Sequence, residues 1–407
     1  MNKQASRFSG ALMVLMLTLA VIVAPAAAQD PTPVPPDGAS ITWTSVQPEV
    51  RPFSPEMVAN LEVPAGFEVT IFAEGLENPR MMVLGADGTV YITRRINGDV
   101  VALRDADGDG VSDGTVVVAS NLPLVHGITI QENRLLLAAN RTLYAADINA
   151  DGSLTEPQVM ISDFPESGQH SARTMAFGPD GMLYINFGST CNACGESNME
   201  NATIVQVQPD FASRSVFASG LRHTIGFGWH PVTNELWGMD HGIDSLGDDV
   251  PPEELNRIEA GSNYGWPFCY GQQVVNTFIA GAPMDMTKAE FCAASAAPVV
   301  TYQAHSAPIG MVFYTGSQFP AEYVNDAFVA MRGSWNRSDP TGYDVVRVRF
   351  DEAGQPSEFE AFLTGFLIED GAAVFGRPAG LLVLADGSLL VGDDTNGVIY
   401  RVAYTGS

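Results

Sequence analysis

The amino-acid sequence predicts an all-β fold, a six-bladed β-propeller whose blades are four-stranded antiparallel sheets. A short hairpin pattern occurs six times, and most copies are separated by the roughly 40–50 residues that a propeller blade occupies. About 340 residues of repeated short strands also lack the spacing typical of amphipathic helices. Two packed β-sandwiches are the alternative, but their turns would not keep this period.

The hairpin pattern is clearest at residues 175–187, where two strand-like runs flank the turn formed by Pro179, Asp180 and Gly181. An Asp-Gly turn between two apolar runs favours an antiparallel hairpin. The other copies lie at 81–94, 127–140, 225–242, 310–335 and 380–394. The segment 67–76, "FEVTIFAEGL", is expected to pair with the C-terminal strands, which closes the ring and leaves no open sheet edge.

The interval between the fourth and fifth hairpin turns, near residues 233 and 325, is longer than the others. We interpret the excess as an insertion, residues 243–309, near the active-site face of the propeller. Insertions of this kind shape the mouth of a pocket and set its specificity.

The first 28 residues have the pattern of a secretory signal, with Lys3 and Arg7 before an apolar run and three Ala residues at 26–28 as the cleavage site. The sequence therefore predicts an exported protein, periplasmic or extracellular, with no stable membrane insertion after cleavage. An uncleaved membrane anchor is the alternative, although Pro25 interrupts a stretch barely long enough to span a bilayer.

Residues 29–55 are Pro-rich and are expected to form an extended linker. The propeller domain is then residues 56–407. Its charge is strongly acidic: the full chain carries −27, and removing residues 1–28 takes away two cations and no acid, which gives −29. This charge excludes nucleic acid as a partner. Of the 20 cations 18 remain, and all but Lys288 are Arg, so the positions of the arginines are informative.

The four cysteines of an exported chain indicate disulfides, and three pairings are possible. Proximity in the chain favours Cys191 with Cys194 and Cys269 with Cys292. A zinc site formed by all four cysteines is the alternative. The segment "CNACG" lacks the His that a c-type haem attachment site needs.

In a propeller the residues just before the first strand and just after the second strand of each blade lie on one face, around the central channel. Five of the six His and about half of the Arg of the domain occupy such positions. Those before a first strand are Arg80, His126, His170, Arg173, Arg222, His223, His305 and Arg377. A single residue of this kind is often solvated or caps a loop. The group as a whole indicates a pocket for a ligand with several carboxylates or phosphates, which guanidinium groups bind bidentately.

Six phrases of the sequence resemble the soluble quinoprotein glucose dehydrogenase and sorbosone dehydrogenase family, six-bladed propellers that bind pyrroloquinoline quinone (PQQ) with Ca²⁺. They occur in the expected order across most of residues 67–404. The phrases are "GQHSARTMAFGPDGMLY", "GSTCNACGE", "ASGLRHTIGFGWHPVTNELWGMDHGIDSLGDDVPPEELNRIEAGSNYGWPFCYG", "HSAPIGMVFYTG", "GSWNRSDPTGYDVV" and "GRPAGLLVLADGSLLVGDD".

The resemblance implies an enzyme that oxidises a sugar, an aldose or a sorbosone-like substrate. The electron acceptor would be external, a cytochrome or a quinone, because the chain has no haem motif. The resemblance makes His170 the general base that takes the hydroxyl proton of the sugar while a hydride passes to the quinone of PQQ. Arg222 would act beside His170.

Other residues would hold the cofactor, according to the same resemblance. Arg222 and His223 would bound the quinone, Arg332 and Arg377 would neutralise its carboxylates, and Trp335 would stack on its flat ring. The carbonyl groups of Gly242 and Ile243 would hold the Ca²⁺ that orients it. This chain departs from the family at two of these positions. His223 stands where the family usually has Asn, and Arg332 stands where related chains often have His or Lys.

A separate metal site is predicted by "DADGDGVSDG" at residues 105–114. Its oxygen ligands match positions 1, 3, 5, 7 and 9 of a calcium loop, but position 12 is Val116 and not Glu. An acidic surface turn is the alternative. The ligands would be Asp105, Asp107, Asp109, the Val111 carbonyl and Asp113.

Two rival functions belong to other classes. A Ca²⁺-dependent lactonase on a six-bladed propeller needs carboxylate and Asn side chains converging on a metal in the channel, whereas Arg and His dominate the strand starts here. A secreted binding module would keep the hairpins without the Arg and His set. The sequence favours the dehydrogenase over both.

Overall fold

The computed structural model describes residues 44–283 and 285–406. Within these ranges the fold is all-β apart from one α-helix, Lys288–Ala294, and three 3-10 helices, Pro55–Asn60, Ala321–Tyr323 and Glu369–Gly371. The predicted signal sequence, residues 1–28, lies outside the described residues, as does the predicted linker up to residue 43. No helix in the described ranges is long and apolar enough to cross a membrane.

Six four-stranded antiparallel sheets form most of the described chain. We number them 1 to 6 by the position along the chain of the hairpin that begins each sheet, so that the early strand Phe67–Ala73 counts as the fourth strand of sheet 6. Sheet 1 consists of Pro79–Leu84, Val90–Arg94, Asp99–Leu103 and Thr115–Ala119. Sheet 2 consists of Gly127–Gln131, Arg134–Ala138, Leu143–Asp147 and Gln158–Ile161. Sheet 3 consists of Met175–Phe177, Leu183–Phe187, Thr203–Val207 and Arg214–Ser219. Sheet 4 consists of Thr224–Trp229, Leu236–Asp240, Glu253–Ile258 and Val300–Tyr302. Sheet 5 consists of Pro308–Phe313, Ala327–Met331, Asp344–Phe350 and Pro356–Leu363. Sheet 6 consists of Pro378–Val383, Leu389–Asp393, Val398–Tyr404 and Phe67–Ala73.

Three of the predicted hairpin turns share an Asp-Gly pair, at residues 87–88, 180–181 and 386–387. In each turn the aspartate carboxylate accepts a hydrogen bond from the backbone N–H two residues further on. The glycine that follows has a φ of 84°, 78° or 88°, a conformation that glycine adopts without steric cost. This repeated chemistry sets the position of the first hairpin in sheets 1, 3 and 6.

Each sheet packs against the next one in number, and the first strand of sheet 6 packs against the first strand of sheet 1. Apolar side chains fill the space between neighbours. Trp237 and Met239 of sheet 4, for example, are buried against Phe313 and Val329 of sheet 5. This all-β arrangement of four-stranded sheets fits the predicted β-propeller.

The strand Phe67–Ala73 pairs antiparallel with Val398–Tyr404, which confirms the predicted pairing between this early segment and the C-terminal strand. Phe67 lies opposite Tyr404 in the register. Its ring contacts the ring edges of Phe319 and Tyr404, with centroids 4.7 and 5.0 Å away. Aromatic packing therefore stabilises the outer strand of sheet 6 in addition to its backbone hydrogen bonds.

The predicted insertion, residues 243–309, is wrong in its extent. Glu253–Ile258 and Val300–Tyr302 are the third and fourth strands of sheet 4, so the additional chain is the segment 259–299. The first of these strands is hard to recognise because its sequence, EELNRI, is polar, although its Glu253, Glu254 and Asn256 are buried. Backbone N–H groups of loop residues bond to both glutamates and satisfy them.

The segment 259–299 contains the helix Lys288–Ala294 and a two-stranded sheet, Cys269–Tyr270 with Val274–Val275. Thr287 begins the helix with a capping box, in which its side chain accepts from the N–H of Glu290. A disulfide joins Cys292 in this helix to Cys269, and a second joins Cys191 to Cys194. These are the pairings that the sequence favours.

The last part of the predicted linker, residues 29–55, takes part in the fold. Glu49–Val50 runs parallel to Ala373–Val374 in a three-stranded sheet completed by Leu367–Ile368. Arg51 also donates to the carboxylate of Glu369 over 2.9 and 3.0 Å. The folded part of the chain therefore includes residues before position 56.

Candidate active site

Side chains from the starts of sheets 3, 4 and 5 line a cavity of about 190 Å³. Five predicted site residues lie in its wall: His170, Arg222, His223, Gly242 and Trp335. The wall also contains His241, Asp244, Glu253, His305, Ala307 and Asn336. The structure therefore brings the predicted base, the quinone-contacting pair and a predicted metal ligand together in one cavity.

Two aspartates at the ends of second strands fix the backbone of the segments that carry arginine. Asp240 ends the second strand of sheet 4, and its carboxylate accepts from the N–H of Arg222 over 2.9 Å and of His223 over 2.8 Å. Asp393, at the same place in sheet 6, accepts from the N–H of Arg377 over 2.8 Å. In both sheets the first strand pairs antiparallel with the second, so the aspartate at the end of the second strand lies beside the start of the first.

The tautomer of His170 follows from the groups around its Nδ1 atom. Nδ1 lies 2.7 Å from the carbonyl oxygen of Ser189 and 2.8 Å from the Ser189 Oγ. That hydroxyl donates its own proton to the carbonyl of Cys191 over 2.8 Å, so its oxygen faces His170 as an acceptor. Both neighbours of Nδ1 are acceptors, and Nδ1 therefore carries the proton. The Nε2 atom keeps a lone pair that can accept a proton.

Three histidine rings follow one another along the cavity wall. The ring centroids of His170 and His223 are 4.9 Å apart, and those of His223 and His241 are 5.7 Å apart. A Cβ atom at Gly188 would lie 2.5 Å from the Cβ of His170 and 2.6 Å from the Cδ2 of His223, so only glycine permits this approach. Burial lowers the pKa of all three rings, that of His241 to about 4. The charge of Arg222 lowers the pKa of His170 further, which keeps this base neutral at pH 7.

The Arg222 side chain is held by two residues. Its Nε donates to the carbonyl of Asn192 over 3.0 Å, and its Nη2 donates to the Asn192 Oδ1 over 2.9 Å. Nη2 also donates to the carboxylate of Asp244 over 3.1 Å. Trp266 lies under the guanidinium, with its ring centroid 5.7 Å away. These contacts fix the plane of the guanidinium in the cavity wall.

Arg332 and Arg377, the other two predicted cofactor arginines, belong to a cluster with Arg80 and Arg95 around Asp394. Arg332 donates to both oxygens of Asp394 over 2.8 and 3.0 Å, and Arg80 forms a buried ion pair with it. Arg377 donates to the carbonyls of Arg332 and Gly333 over 2.9 and 2.7 Å.

The arginine cluster has an excess of positive charge. Burial opposes ionisation of Asp394, but the charges of Arg80 and Arg332 hold its pKa below the usual value. Burial instead raises the pKa of the adjacent Asp393 to about 7. Burial and the neighbouring Arg332 lower the pKa of Arg377 to about 10, as expected for guanidinium groups that crowd one another. The charge of Arg80 also lowers the pKa of His241 in the cavity wall, so the cluster acts electrostatically on the cavity.

The Glu253 carboxylate lies beside the predicted calcium ligand Gly242. The N–H of Gly242 donates to the Glu253 carboxylate over 3.1 Å, and the N–H of Ala307 donates to its other oxygen over 3.1 Å. Asp244 follows directly and its carboxylate lines the same cavity. The Ile243 side chain is buried in an apolar cluster, which leaves its backbone as the polar part of the residue. This donor set suits a hard cation.

Two arginine and histidine positions at strand starts serve the fold instead of the cavity. Arg173 is fully buried with its guanidinium 4.5 Å from the ring centroid of Phe187. His126 is also fully buried, and its Nδ1 lies 3.2 Å from the carbonyl of Arg173. Its Nε2 lies 3.3 Å from Arg80, which links this histidine to the arginine cluster.

The predicted calcium loop lies apart from the cavity. Carboxylate oxygens of Asp105, Asp107 and Asp109 lie within 4.8 Å of one another. Asp113, the fourth predicted carboxylate, is not part of that group and accepts from the N–H of Ala106 over 2.7 Å. The structure thus brings together three of the four carboxylates.

Sequence reasoning did not single out Asn192, Asp244 or Glu253. All three lie within quoted phrases, Asn192 in "GSTCNACGE" and the other two in the longest phrase, so their neighbourhood was marked but their contacts were not. Glu253 was hidden by the assignment of its strand to a loop. EELNRI offers no alternation as a signal, because four successive residues of the strand are buried and two of them are acidic.

Comparisons with known proteins identify the family of the chain. A family model described as TrAA12-like matches residues 61–405. A Borreliella burgdorferi protein described as uncharacterized is 31% identical over 365 residues, which cover 86% of this chain and 92% of that protein. A Hypocrea jecorina protein named pyrroloquinoline quinone-dependent sugar dehydrogenase is 24% identical over 347 residues, 72% of this chain and 76% of that protein.

Among solved structures, the holo form of the pyranose dehydrogenase PQQ domain from Coprinopsis cinerea has a TM-score of 0.72. It is 22% identical, and the match covers 88% of this chain and 98% of that one. This likeness shows a shared fold. Because the family model spans most of the sequence, the chain belongs to the TrAA12-like family, within the PQQ-dependent sugar dehydrogenases whose motifs it carries.

Proposed function

We propose that this protein oxidises an aldose or sorbosone-like sugar with PQQ and passes the electrons to an external acceptor, a cytochrome or a quinone. One observation carries the proposal: a cluster of four arginines around a single ionised carboxylate adjoins a cavity that contains a neutral histidine with an available Nε2. The cluster suits an anionic cofactor, and the histidine suits removal of a hydroxyl proton.

The residues present fit PQQ. Arg332 and Arg377 would pair with its carboxylates, because the arginine cluster contains more guanidinium groups than ionised carboxylates in the described structure. Arg222 and His223 would contact the quinone oxygens, and Trp335 would cover the ring. Bound PQQ supplies the group that accepts the hydride of the sugar.

The carbonyl groups of Gly242 and Ile243 would hold Ca²⁺ at the cofactor. The carboxylate of Asp244 lies in the same wall and would supply negative charge to the cation. Burial raises the pKa of Glu253 to about 8, so this side chain would lose its proton when the cation binds. A structural Ca²⁺ would occupy the loop of Asp105, Asp107, Asp109 and the Val111 carbonyl, with Asp113 joining after a small movement.

The chain's own residues divide the work around the proton. The Nε2 of His170 accepts the hydroxyl proton. The proton on Nδ1 stays on the ring and is donated to the carbonyl and hydroxyl oxygens of Ser189. These two acceptors stabilise the ring as it becomes cationic, which aids proton transfer in the transition state. Arg222 has the opposite effect, since its charge keeps the ring neutral until substrate is bound. The Ser189 acceptors and the Arg222 charge together set the pKa of His170 so that the base works at and below neutral pH.

The remaining features of the proposal concern architecture and location. The six sheets would be the blades of a six-bladed propeller closed by the strand Phe67–Ala73. Residues 1–28 would be removed on export to the periplasm or the extracellular space, and the Pro-rich part of residues 29–55 would link the cleavage site to the domain. The two disulfides suit that oxidising environment.

Calorimetry on the purified apoprotein tests the proposal. Titration with PQQ in saturating Ca²⁺ is expected to give one binding event, and turnover of an aldose panel with an artificial electron acceptor is expected only after reconstitution. A flat titration would remove the PQQ proposal. Arg134→Gln is the control, because Arg134 pairs with Asp147 on the surface at a hairpin turn and touches none of the site.

A further inference from the structure

We propose that Asn192 is a positioning residue for the reaction: it holds the Arg222 guanidinium and the Asp244 backbone in one fixed arrangement at the cavity wall. This inference rests on the proposed function, because it assigns a partner to a residue of that site. Asn192 lies in the loop 188–202 between the second and third strands of sheet 3, which contains the Cys191–Cys194 disulfide.

The amide of Asn192 connects the two residues directly. Its Oδ1 accepts from the Nη2 of Arg222 and from the N–H of Asp244, each over 2.9 Å. Its Nδ2 points to the carbonyl of Asp244 over 3.4 Å. Since Arg222 also donates to the Asp244 carboxylate, the three residues form a closed triangle of hydrogen bonds.

The same loop orients the base. Ser189 donates to the carbonyl of Cys191, and this bond leaves its hydroxyl oxygen as an acceptor for His170. The N–H of Ser189 donates to the carbonyl of Arg222 over 2.8 Å. This one loop therefore sets the positions of both His170 and Arg222, which come from different sheets.

Loss of the Asn192 amide leaves the guanidinium with the Asn192 carbonyl and one carboxylate. The plane of Arg222 is then free to rotate about its Nε contact, and its charge no longer sits at a fixed place relative to His170. A hydrogen bond to a charged group typically changes an equilibrium by about 10-fold to 100-fold. The loss should appear in turnover more than in KM, because Arg222 acts at the reacting end of the sugar.

A double-mutant cycle separates positioning from a general structural role. Asn192→Ala is expected to lower kcat by about 10-fold to 100-fold in the wild-type background and by less than about 2-fold in an Arg222→Ala background. Equal losses in both backgrounds, or no loss in either, would overturn the proposal. Asn198→Ala is the matched control, because Asn198 accepts the N–H of Glu200 at the far end of the same loop and contacts neither residue.

A second measurement works on the apoprotein and is independent of PQQ. Solvent exchange of the Arg222 Nη2–H protons, one of which donates to the Asn192 Oδ1, is expected to be faster in Asn192→Ala than in wild type or Asn198→Ala when followed by NMR. Unchanged exchange would overturn the positioning role. If wild-type protein neither binds PQQ nor oxidises a sugar, the proposed function fails, while this exchange measurement still decides the role of Asn192.

Discussion

Asp394 accepts hydrogen bonds from Arg332 over 2.8 and 3.0 Å and is nearly inaccessible to solvent. It is the ionised carboxylate among four arginines, so it both stabilises the cluster and limits its positive charge. A buried carboxylate with this role makes the stability of the apoprotein and its affinity for an anion depend on the same atom.

Asp394→Asn should destabilise the apoprotein by about 3–5 kcal/mol, because it leaves buried guanidinium groups without their counter-charge. Thermal unfolding measures this loss. The pH dependence follows from the lowered pKa of Asp394: its stabilisation is present above the ordinary aspartate pKa of about 3.9 and is lost as pH falls below it. Asp147→Asn, which breaks an exposed pair, should change stability by less than about 1 kcal/mol. A similar change for both variants would contradict the assigned charge state.

Arg377→Gln should weaken PQQ binding by about 10-fold to 100-fold, since a charged hydrogen bond to a carboxylate is replaced by a neutral one. The carbonyls of Arg332 and Gly333 orient this side chain in the free protein, so the cluster should otherwise stay intact. Isothermal titration in saturating Ca²⁺ provides the affinity. Arg134→Gln serves as the control, and an unchanged affinity for Arg377→Gln would exclude that residue from the anion site.

His170→Gln should reduce kcat by roughly 10²–10⁴-fold while PQQ affinity changes little, because glutamine cannot accept the proton. Steady-state turnover of an aldose with an artificial acceptor measures the effect. His230→Gln is the same substitution at a hairpin turn, where the ring accepts two backbone N–H groups. That control should alter stability and leave kcat near wild type. Near-normal turnover in reconstituted His170→Gln would remove His170 from the mechanism.

Arg222→Gln should move the acidic limb of the pH–rate profile to higher pH. The Arg222 charge disfavours the imidazolium form of His170, so its removal raises the pKa of that ring. At a given acidic pH more of the base is then protonated and inactive. The profile of residual activity, normalised to its own maximum, tests the sign. A limb that stays in place or moves to lower pH would separate Arg222 from the base.

Chelation of Ca²⁺ should lower the melting temperature through the loop of Asp105, Asp107 and Asp109. The double variant Asp105→Asn, Asp107→Asn should lose this response, because amides bind Ca²⁺ more weakly than carboxylates. Unfolding scans with and without a chelator make the comparison, and the apoprotein without PQQ avoids the second proposed site. A variant that responds like wild type would show that the loop is an acidic turn.

Local chemistry made much of the fold predictable. The Asp-Gly pairs at 87–88, 180–181 and 386–387 act within a few residues, so the sequence alone locates three hairpins. The strand Glu253–Ile258 escaped because its acidic side chains are satisfied by backbone N–H groups of Gly242, Ala307 and Gly271, which lie outside the strand. His170 and Arg222 could be placed near each other by the repeat, whereas the amide that holds Arg222 depends on a loop from sheet 3. Contacts between distant segments are not encoded in any short pattern.

The pairing of Phe67–Ala73 with Val398–Tyr404 combines an early segment and a late segment of the chain in one sheet. Arg80 meets Asp394 across 314 residues, and this contact forms only after residue 394 has been synthesised. A nascent chain that ends before Asp394 thus lacks the central carboxylate of the arginine cluster, and a chain cut ahead of Val398 lacks the strand that pairs with Phe67–Ala73. Such long-range closure is slow compared with hairpin formation. We therefore expect the proposed PQQ site to assemble only after both of these long-range contacts have formed.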